Sequence, residues 1–395
     1  MINNFLDFQW ISLIVFVLVL ITLVVKNKKN LELQKIIFPL IYAGLFRTNF
    51  GLKFINKFSK RFKEWIILIG YCGIGIGFVG MILIVVSIIQ SVIIAISQPQ
   101  ASAGVALVLP QTTIPGIGFL PFWYWILALF FLILIHEFSH GIVAKAHGLK
   151  VKSSGLGFFA LIVPLIPLAF VEPDEKQLEK APDHVQYSIY AAGPFSNILS
   201  ALIILLMFMF IFTPIDKVMT EPIGFSFDII NESYPSSALP ENIIINRLNE
   251  EEINSYSPFL DVMAATKIGD EIKLGNETNS YTITTVESPD GKRSFVGIQN
   301  IVNEYKVKNN INKFWFGVYS WIKGLFKWLG LLSFFIGLAN LLPIGPVDGG
   351  RMVKTFTDKL IKDKKKSNGV WIKISLFVLA LLLFSLLFPW LRNFI

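Results

Sequence analysis

The sequence predicts a polytopic α-helical membrane protein with about six transmembrane helices, one re-entrant membrane segment and an inserted small α+β domain. Of the 395 residues, 54% are hydrophobic and only 16% are charged, a balance that soluble globular proteins rarely show. The mean hydropathy is +0.62. Apolar runs of about 20 residues, the length that crosses a bilayer, recur along the chain and are interrupted once by a polar, β-rich stretch.

Six apolar runs are candidate transmembrane spans, and their lysine-rich flanks predict the orientation of the chain. Assigning those flanks to the cytosol places the N-terminus outside the cell and the following loop inside. We therefore expect an integral, multi-pass protein of the cytoplasmic membrane that contacts the lipid bilayer. The candidate spans cover residues 9–25, 65–97, 118–145, 188–213, 314–342 and 370–390.

The net charge of +8 is better explained by juxtamembrane topology than by nucleic-acid binding, because the basic residues lie beside the apolar runs. We therefore predict no nucleic-acid partner. One basic tract has helical spacing and alternates with aromatic residues, which is typical of a helix that lies on an anionic leaflet surface. The tract contains Lys53, Phe54, Lys57, Phe58, Lys60, Arg61, Phe62 and Lys63.

Residues 136–140 form an H-E-x-x-H motif inside the third apolar run. Positions i and i+4 of a helix share one face with about 6 Å of rise between them, so His136 and His140 can bind one tetrahedral zinc ion. Glu137 stands beside them and is placed to act as a general base. An ionisable group at the bilayer centre costs about 2.5–3.5 kcal/mol on insertion scales, so the placement favours a functional site. Because the run leads inward to Lys145, we expect the site toward the cytosolic side.

The apolar segment from Gly155 to Phe170 is too short for a span, and it contains Pro164 and Pro167, which oppose a continuous helix. Irregular backbone at membrane depth needs protein or water to satisfy its polar groups. We therefore expect a re-entrant, extended segment that faces the interior of the site. The alternative is a proline-kinked packing element.

Charged and polar residues return between residues 221 and 309, where alternating patterns predict strands at Ile243–Leu248, Glu271–Leu274 and Tyr281–Val286. A short helix is predicted at Pro258–Thr266. The order and spacing resemble a PDZ domain, which implies a groove that binds an extended peptide by adding it to a sheet edge. We expect this domain on the extracytosolic side. The alternative is a structural cap without a ligand.

A catalytic zinc ion generally takes three protein ligands, so two histidines from one helix need a partner from elsewhere in the chain. Asp348 is our candidate. It follows a proline-broken helix end, and Gly349 and Gly350 permit close backbone approach. The alternative is that Asp348 caps the following segment through Arg351 or backbone amides.

Three motifs occur in order along the chain and together resemble the site-2 protease family of intramembrane zinc metalloproteases, also called peptidase family M50. They are H-E-x-x-H at 136–140, G-P-x-x-N at 193–197 and N-x-x-P-x-x-P-x-D-G at 340–349. The resemblance extends from about Trp125 to Arg351, and the PDZ-like insertion lies where many members carry one. One departure is that Pro346 is one residue nearer Asp348 than the second proline in many members.

The resemblance implies zinc-dependent cleavage of transmembrane segments of membrane proteins, in regulated intramembrane proteolysis. It implies one zinc ion per chain, held by His136, His140 and Asp348. It further implies general acid and base work by Glu137 and substrate or transition-state contacts by Asn340. Asn197 is an additional candidate for the substrate site.

We predict six consecutive regions along the chain. They are an N-terminal anchor with a basic cytosolic segment, a second span, a first part of the catalytic core, the PDZ-like domain, a second part of the core and a C-terminal span. These regions cover residues 1–64, 65–97, 118–213, 221–309, 314–355 and 370–390, respectively.

Two other classes of protein would use the same ligands: a catalytically inactive zinc-binding membrane scaffold and a metal transporter. Neither explains Glu137, since a scaffold needs no base and a transporter more often shows repeated ligands or an inverted repeat. We therefore expect a zinc metalloendopeptidase. The sequence also contains G-x-G-x-x-G at Gly75, Gly77 and Gly80, where close helix packing inside a span is a better explanation than dinucleotide binding.

Overall fold

The structure is a computed structural model. It describes residues 2–26, 31–37, 41–49, 51–97, 105, 108–114, 117–161, 163–240, 243–288, 291 and 293–391. The chain divides into two compact units. The first unit comprises residues 1–206 and 323–395, and the second unit comprises residues 207–322.

Eleven α-helices occur in the described part of the chain. They are α1 (Ile2–Lys26), α2 (Leu52–Arg61), α3 (Lys63–Ser97), α4 (Phe122–Ala146), α5 (Glu175–Lys180), α6 (Asp183–Met207), α7 (Thr213–Met219), α8 (Ser257–Ala265), α9 (Lys313–Asn340), α10 (Asp348–Leu360) and α11 (Lys364–Leu391). A π-helical turn, Phe208–Phe212, joins α6 to α7.

Five helices of the described residues are long and apolar enough to cross a membrane. A further apolar stretch, Trp10–Lys26 in α1, is shorter. The protein is therefore a polytopic helical membrane protein. Each of the five lies within a few residues of a span predicted from the sequence. They are Lys63–Ser97, Phe122–Ala146, Asp183–Met219, Lys313–Asn340 and Lys364–Phe388.

Four antiparallel strands form the main sheet of the first unit, in the order β1 (Leu31–Ile37), β2 (Ile41–Thr48), β5 (Val151–Leu161) and β6 (Val163–Pro173). Strands β5 and β6 are one hairpin, and they cover the segment for which the sequence predicts extended backbone. Strands β1 and β2 are a second hairpin, which the sequence analysis does not predict. A separate short pair, β3 (Thr113–Ile114) with β4 (Gly118–Phe119), precedes α4.

Helix α4 lies at the centre of the first unit. Its N-terminal half packs against α9, where Leu132 contacts the cluster of Trp328 and Leu332. Its C-terminal end packs among α3, α5 and α6. The helix stops at Ala146, and Gly148 follows with a φ of 85°, a left-handed conformation that favours glycine after a helix end.

Glycines on α3 let neighbouring helices approach closely. A Cβ atom on Gly77 would lie 3.1 Å from the Met352 methyl group, and one on Gly80 would lie 2.6 Å from a Leu341 methyl group. In contrast, outside its own helical turns no atom of the described residues lies within 4 Å of a Cβ on Gly75. The interpretation of this glycine run as a packing surface is therefore confirmed for Gly77 and Gly80.

The second unit contains the other described strands and its own hydrophobic core. The strands are β7 (Thr220–Ile229), β8 (Arg247–Leu248), β9 (Glu251–Glu252), β10 (Glu271–Gly275), β11 (Ser280–Thr284), β12 (Val286–Glu287), β13 (Ser294–Phe295) and β14 (Ile298–Val307). They form a β11–β10–β8–β9 sheet and the pairs β12–β13 and β14–β7. The buried core is Phe225, Leu239, Ile243, Ile245, Leu248, Phe259, Ile272, Leu274, Ile283, Val296 and Ile298.

Several elements of the second unit agree with the sequence patterns. Strand β10 and helix α8 lie within one residue of the predicted bounds. Between these two elements, a turn is closed by the Asp270 amide, which donates to the Lys267 carbonyl at 3.1 Å. The predicted strand at 243–248 is shorter in the structure, since only Arg247 and Leu248 pair in the sheet, with an isolated bridge at Ile245.

Candidate metal centre

Helix α4 presents both histidines of the H-E-x-x-H motif on one side, as the i and i+4 spacing predicts. The ring centroids of His136 and His140 are 4.8 Å apart, and their Nε2 atoms are 3.2 Å apart. Their side chains are only 10% and 12% exposed. The Nε2 atoms of the two buried imidazoles are therefore close enough to bind one metal ion.

Asp348, about two hundred residues further along the chain, completes a cluster of three ligand atoms. Its Oδ2 lies 3.1 Å from His136 Nε2 and 3.4 Å from His140 Nε2. A tetrahedral zinc ion with bonds of about 2.0–2.1 Å holds its ligand atoms about 3.3 Å apart. The triangle of donor atoms in this protein therefore has the dimensions that zinc requires.

Each imidazole has a hydrogen-bond partner on its other nitrogen. His140 Nδ1 lies 2.6 Å from the carbonyl oxygen of Ile189, so Nδ1–H donates and Nε2 keeps its lone pair for a metal. His136 Nδ1 lies 3.2 Å from the side-chain amide of Asn197, which is completely buried.

The orientation of the Asn197 amide bears on metal binding. The amide nitrogen faces the ring, while Oδ1 is buried without a hydrogen-bond partner among the described residues. A half-turn of the amide places Oδ1 against His136 Nδ1–H and leaves Nε2 free for a metal. The unpaired buried oxygen therefore fits a metal-binding tautomer of His136.

The G-P-x-x-N motif brings α6 against the two histidines. A Cβ atom on Gly193 would overlap both imidazoles, so only glycine leaves room for them. Asn197 lies one turn later on the same side of α6 and contacts His136. The motif thus lets α6 approach the imidazoles closely at Gly193 and places a polar side chain against His136 at Asn197.

Asp348 is positioned by the broken chain between α9 and α10. Pro343 and Pro346 separate the two helices, and Asp348 is the first residue of α10. A Cβ on Gly349 or Gly350 would overlap backbone carbonyls of the preceding loop, so these glycines permit the close approach that the sequence suggests. The α10 N-terminus has no side-chain cap, and the Asp348 carboxylate lies against the imidazoles.

Glu137 lies beside the cluster and contacts the edge of the main sheet. Its Oε2 accepts a hydrogen bond from the Val171 amide at 3.3 Å. Strand β6 is the outer strand of the sheet, so this amide points away from β5 and toward the site. Glu137 is therefore held at the junction between the donor cluster and an open strand edge.

A cavity of about 530 Å³ joins these groups. It is lined by His136, Glu137, His140, Asn340 and Asp348, together with residues of β6. The Asn340 amide nitrogen donates to the Ile336 carbonyl of its own helix at 3.1 Å. The cavity thus brings five of the six predicted site residues to one space, while Asn197 lies buried behind His136.

One end of the cavity carries a charged network across the sheet. The Arg47 guanidinium pairs with Glu32 at 2.6 Å and also with Glu172. The Ser153 hydroxyl donates to Glu172 at 2.6 Å. These contacts lower the pKa of Glu172, chiefly through Ser153 and then through Arg47. The network links β1, β2, β5 and β6 beside the site.

Two other histidines do not join the donor cluster. His147 follows α4 and lies 3.3 Å from the Ser188 hydroxyl, and His184 is exposed near Tyr71. Three groups that do contribute were not singled out from the sequence: Gly193, the Ile189 carbonyl and the Val171 amide. Gly193 was visible within its motif, whereas backbone groups carry no residue-type signal.

Comparison with known proteins agrees with the motifs. The model of the family described as "Peptidase family M50" matches residues 124–383, which extends past Arg351 into α11. The chain is also similar to an uncharacterized protein of Methanocaldococcus jannaschii, with 31% identity over 369 residues. That alignment covers 91% of this chain and 88% of the relative.

Proposed function

The chain belongs to peptidase family M50, and we propose that it is a zinc-dependent intramembrane endopeptidase that cuts transmembrane segments of membrane proteins. One observation carries the proposal. His136, His140 and Asp348 converge at the spacing of zinc ligands, and Glu137 lies in the same cavity. A ligand triangle alone would serve storage or transport, whereas the adjacent carboxylate adds a base.

The three residues would hold one zinc ion and leave its fourth position open. When bound, zinc would acidify a water molecule and polarise the scissile carbonyl. Glu137 would take the proton from the attacking water and deliver it to the leaving amine. Its contact with the Val171 amide supports this role, because it fixes the carboxylate beside the strand edge.

We propose different roles for the two asparagines. Asn340 lines the cavity, and one N–H of its amide donates to the Ile336 carbonyl; the second N–H would stabilise the developing oxyanion of the substrate. One such donor is typically worth about 3 kcal/mol. Asn197 is enclosed and contacts His136, so its position favours orienting that ligand over the substrate contact predicted from the sequence.

The outer edge of β6 would hold the substrate. A transmembrane helix satisfies its own backbone hydrogen bonds, so it must unwind before a peptide bond can be attacked. An unwound segment would regain those bonds by pairing with β6, whose Phe170 and Val171 line the cavity. We therefore propose that the β5–β6 hairpin is the re-entrant segment and that it serves regulated intramembrane proteolysis.

We further propose six spans, with α1 as the sixth, in the cytoplasmic membrane and with the site toward the cytosol. The apolar stretch Trp10–Lys26 and the lysines that follow it support this topology. In this arrangement the lipid bilayer is a permanent partner, and a membrane protein is the substrate.

The second unit is proposed to be an extracytosolic, PDZ-like domain over residues 221–309 that binds a peptide. Its separate core, helix α8 and short sheet support the proposal. Deleting these residues should change which substrates are cut while zinc content stays the same, as measured by cleavage of a substrate panel and metal analysis. Unchanged processing of every substrate would exclude a role in selection.

The decisive experiment compares wild type, Glu137→Gln and the exposed control Glu179→Gln in proteoliposomes with a single-span substrate. Zinc content is measured, and each cut is located by mass spectrometry. We expect cleavage within the span by wild type and Glu179→Gln, and none by Glu137→Gln despite bound zinc. Cleavage by Glu137→Gln would contradict the assigned base, and zinc without cleavage by wild type across a substrate panel would favour a scaffold or transporter.

A further inference from the structure

Helix α2 presents three distinct sides around its axis. At about 100° per residue, Ile55 and Ser59 fall on one side, Phe54 and Phe58 on the next, and the basic residues beyond them. Phe62, the residue that follows the last turn of α2, continues the aromatic row. Ile55 and Ser59 are buried, whereas the three phenylalanines are 53%, 38% and 37% exposed. Their rings follow one another at 5.5 Å and 4.9 Å between centroids. The exposed aromatic stripe is therefore continuous.

The basic side of α2 makes no ion pair with the carboxylates of the described residues. It carries Lys53, Lys57, Lys60 and Arg61, all of them exposed. Among the described residues, none of these four cations forms an ion pair; Arg61 instead lies over the Phe62 ring at 5.3 Å. Four exposed positive charges that pair with no described carboxylate fit phosphate groups supplied from outside the chain.

The position of α2 identifies where such phosphates would be found. The chain passes from α2 through Phe62 directly into α3, which is long and apolar enough to span a membrane. Trp65, one turn into α3, is strongly exposed, and exposed aromatic residues are typical of the membrane–water interface. The three phenylalanines therefore lie next to the start of α3, at the boundary between the hydrocarbon core of a bilayer and its headgroups.

The buried side of α2 rests on the helix that carries the donor cluster. A Cβ on Gly141 of α4 would lie 3.2 Å from the Ile55 methyl group. Phe138, next to Glu137, lies against Gly51 at the start of α2, and its ring centroid is 6.3 Å from that of Phe54. Any group that holds α2 in place therefore also supports α4.

We propose that α2 is a docking surface for anionic phospholipids that stabilises α4. The headgroup phosphates pair with the four cations, and the three phenylalanines enter the part of the acyl chains nearest the headgroups. The buried side of α2 then stabilises α4 by packing against it beside Phe138. The docking does not depend on peptide cleavage.

The test uses the full chain in nanodiscs that contain a photoactivatable lipid, either phosphatidylglycerol or phosphatidylcholine. Labelled peptides are mapped by mass spectrometry after pepsin digestion. We expect at least tenfold more labelling of residues 52–62 by phosphatidylglycerol than by phosphatidylcholine. The variant K53Q/K57Q/K60Q/R61Q should lose this preference. The control K362Q/K364Q/K365Q/K366Q removes the same charge from a cluster without aromatic residues and should retain it.

Equal labelling by the two lipids, or an unchanged preference in the α2 variant, would overturn the proposal. Phe58→Ser leaves all charges in place and should reduce labelling several-fold, which separates a docked lipid from general charge attraction. Hydrogen exchange of residues 134–142 should be slower in phosphatidylglycerol than in phosphatidylcholine for wild type but not for the α2 variant. Labelling without this difference would refute the link to α4.

Discussion

Removing the side chain of Asn197 tests whether the buried amide prepares His136 for a metal. Asn197→Ala deletes the group that lies 3.2 Å from His136 Nδ1. The imidazole then loses this contact, and water cannot readily replace it because the position of the Asn197 side chain is completely buried. The ring is free to take the tautomer that protonates Nε2, which cannot bind zinc. We therefore expect weaker zinc binding in a protein that still folds.

The expected size of the effect follows from what the amide does. Loss of a hydrogen bond that orients a ligating histidine typically costs about 10- to 100-fold in metal affinity, or about 1.4–2.7 kcal/mol. His140 keeps its bond to the Ile189 carbonyl and Asp348 keeps its position, so binding weakens without disappearing. Asn197→Asp retains an acceptor and should bind zinc at least as tightly as wild type.

Zinc affinity is measured by competition with a fluorescent chelator, on detergent-purified protein that has lost its metal. Asn197→Leu provides the matched control for packing, because it fills similar space without an acceptor. We expect Asn197→Leu to weaken binding as much as Asn197→Ala. Wild-type affinity in both variants would refute the orienting role, and weak binding in Asn197→Ala alone would assign the effect to lost packing.

Three further predictions concern the same region. Gly193→Ala should lower zinc affinity at least tenfold, because its Cβ would overlap both imidazoles, while Gly75→Ala, with nothing within 4 Å, should match wild type in the same titration. Hydrogen bonds from Ser153 and then from Arg47 lower the pKa of Glu172. The ionised Glu172 carboxylate therefore stabilises the sheet fully above its ordinary pKa of 4.5, and this stabilisation is lost as the pH falls through the lower pKa of the folded state. Protection factors of β6 amides should therefore fall at acidic pH in wild type, and Glu172→Gln should show no such step. Zinc at 100 times its Kd should stabilise the folded chain by about 2.7 kcal/mol, so a chelator should lower Tm, and a Tm that ignores the chelator would contradict a bound metal.

The sequence was most informative where the chemistry depends on rare residue types. The chain contains four histidines, and two of them stand at i and i+4 in an apolar run, so the motif was recognisable without a structure. Asp348 was accessible because a zinc site needs a third ligand and the prolines before it mark a broken helix. The structure brings these three residues together. Span positions were equally accessible, since hydropathy depends on composition alone.

Contacts between segments that are distant in the sequence were harder to predict. Strands β1 and β2 were not predicted. β2 pairs with β5, more than a hundred residues away, and β1 pairs with β2, so the hairpin depends on a distant strand and not on a local pattern alone. Of the two groups that contact the histidine Nδ1 atoms, only the Asn197 amide could be identified from the sequence. Asn197 stands in a motif, but the Ile189 carbonyl is a backbone group that any residue would supply. The contact between Glu137 and the Val171 amide was hidden for the same reason.

The separation of the donor atoms along the chain has a consequence for biosynthesis. His136 and His140 leave the ribosome about two hundred residues before Asp348, and α9 must be made before Asp348 can approach them. A growing chain therefore has two donors but not the third until most of its helices have been synthesised. On the proposed function, a partly inserted chain would lack the third zinc ligand and would not cut neighbouring nascent helices.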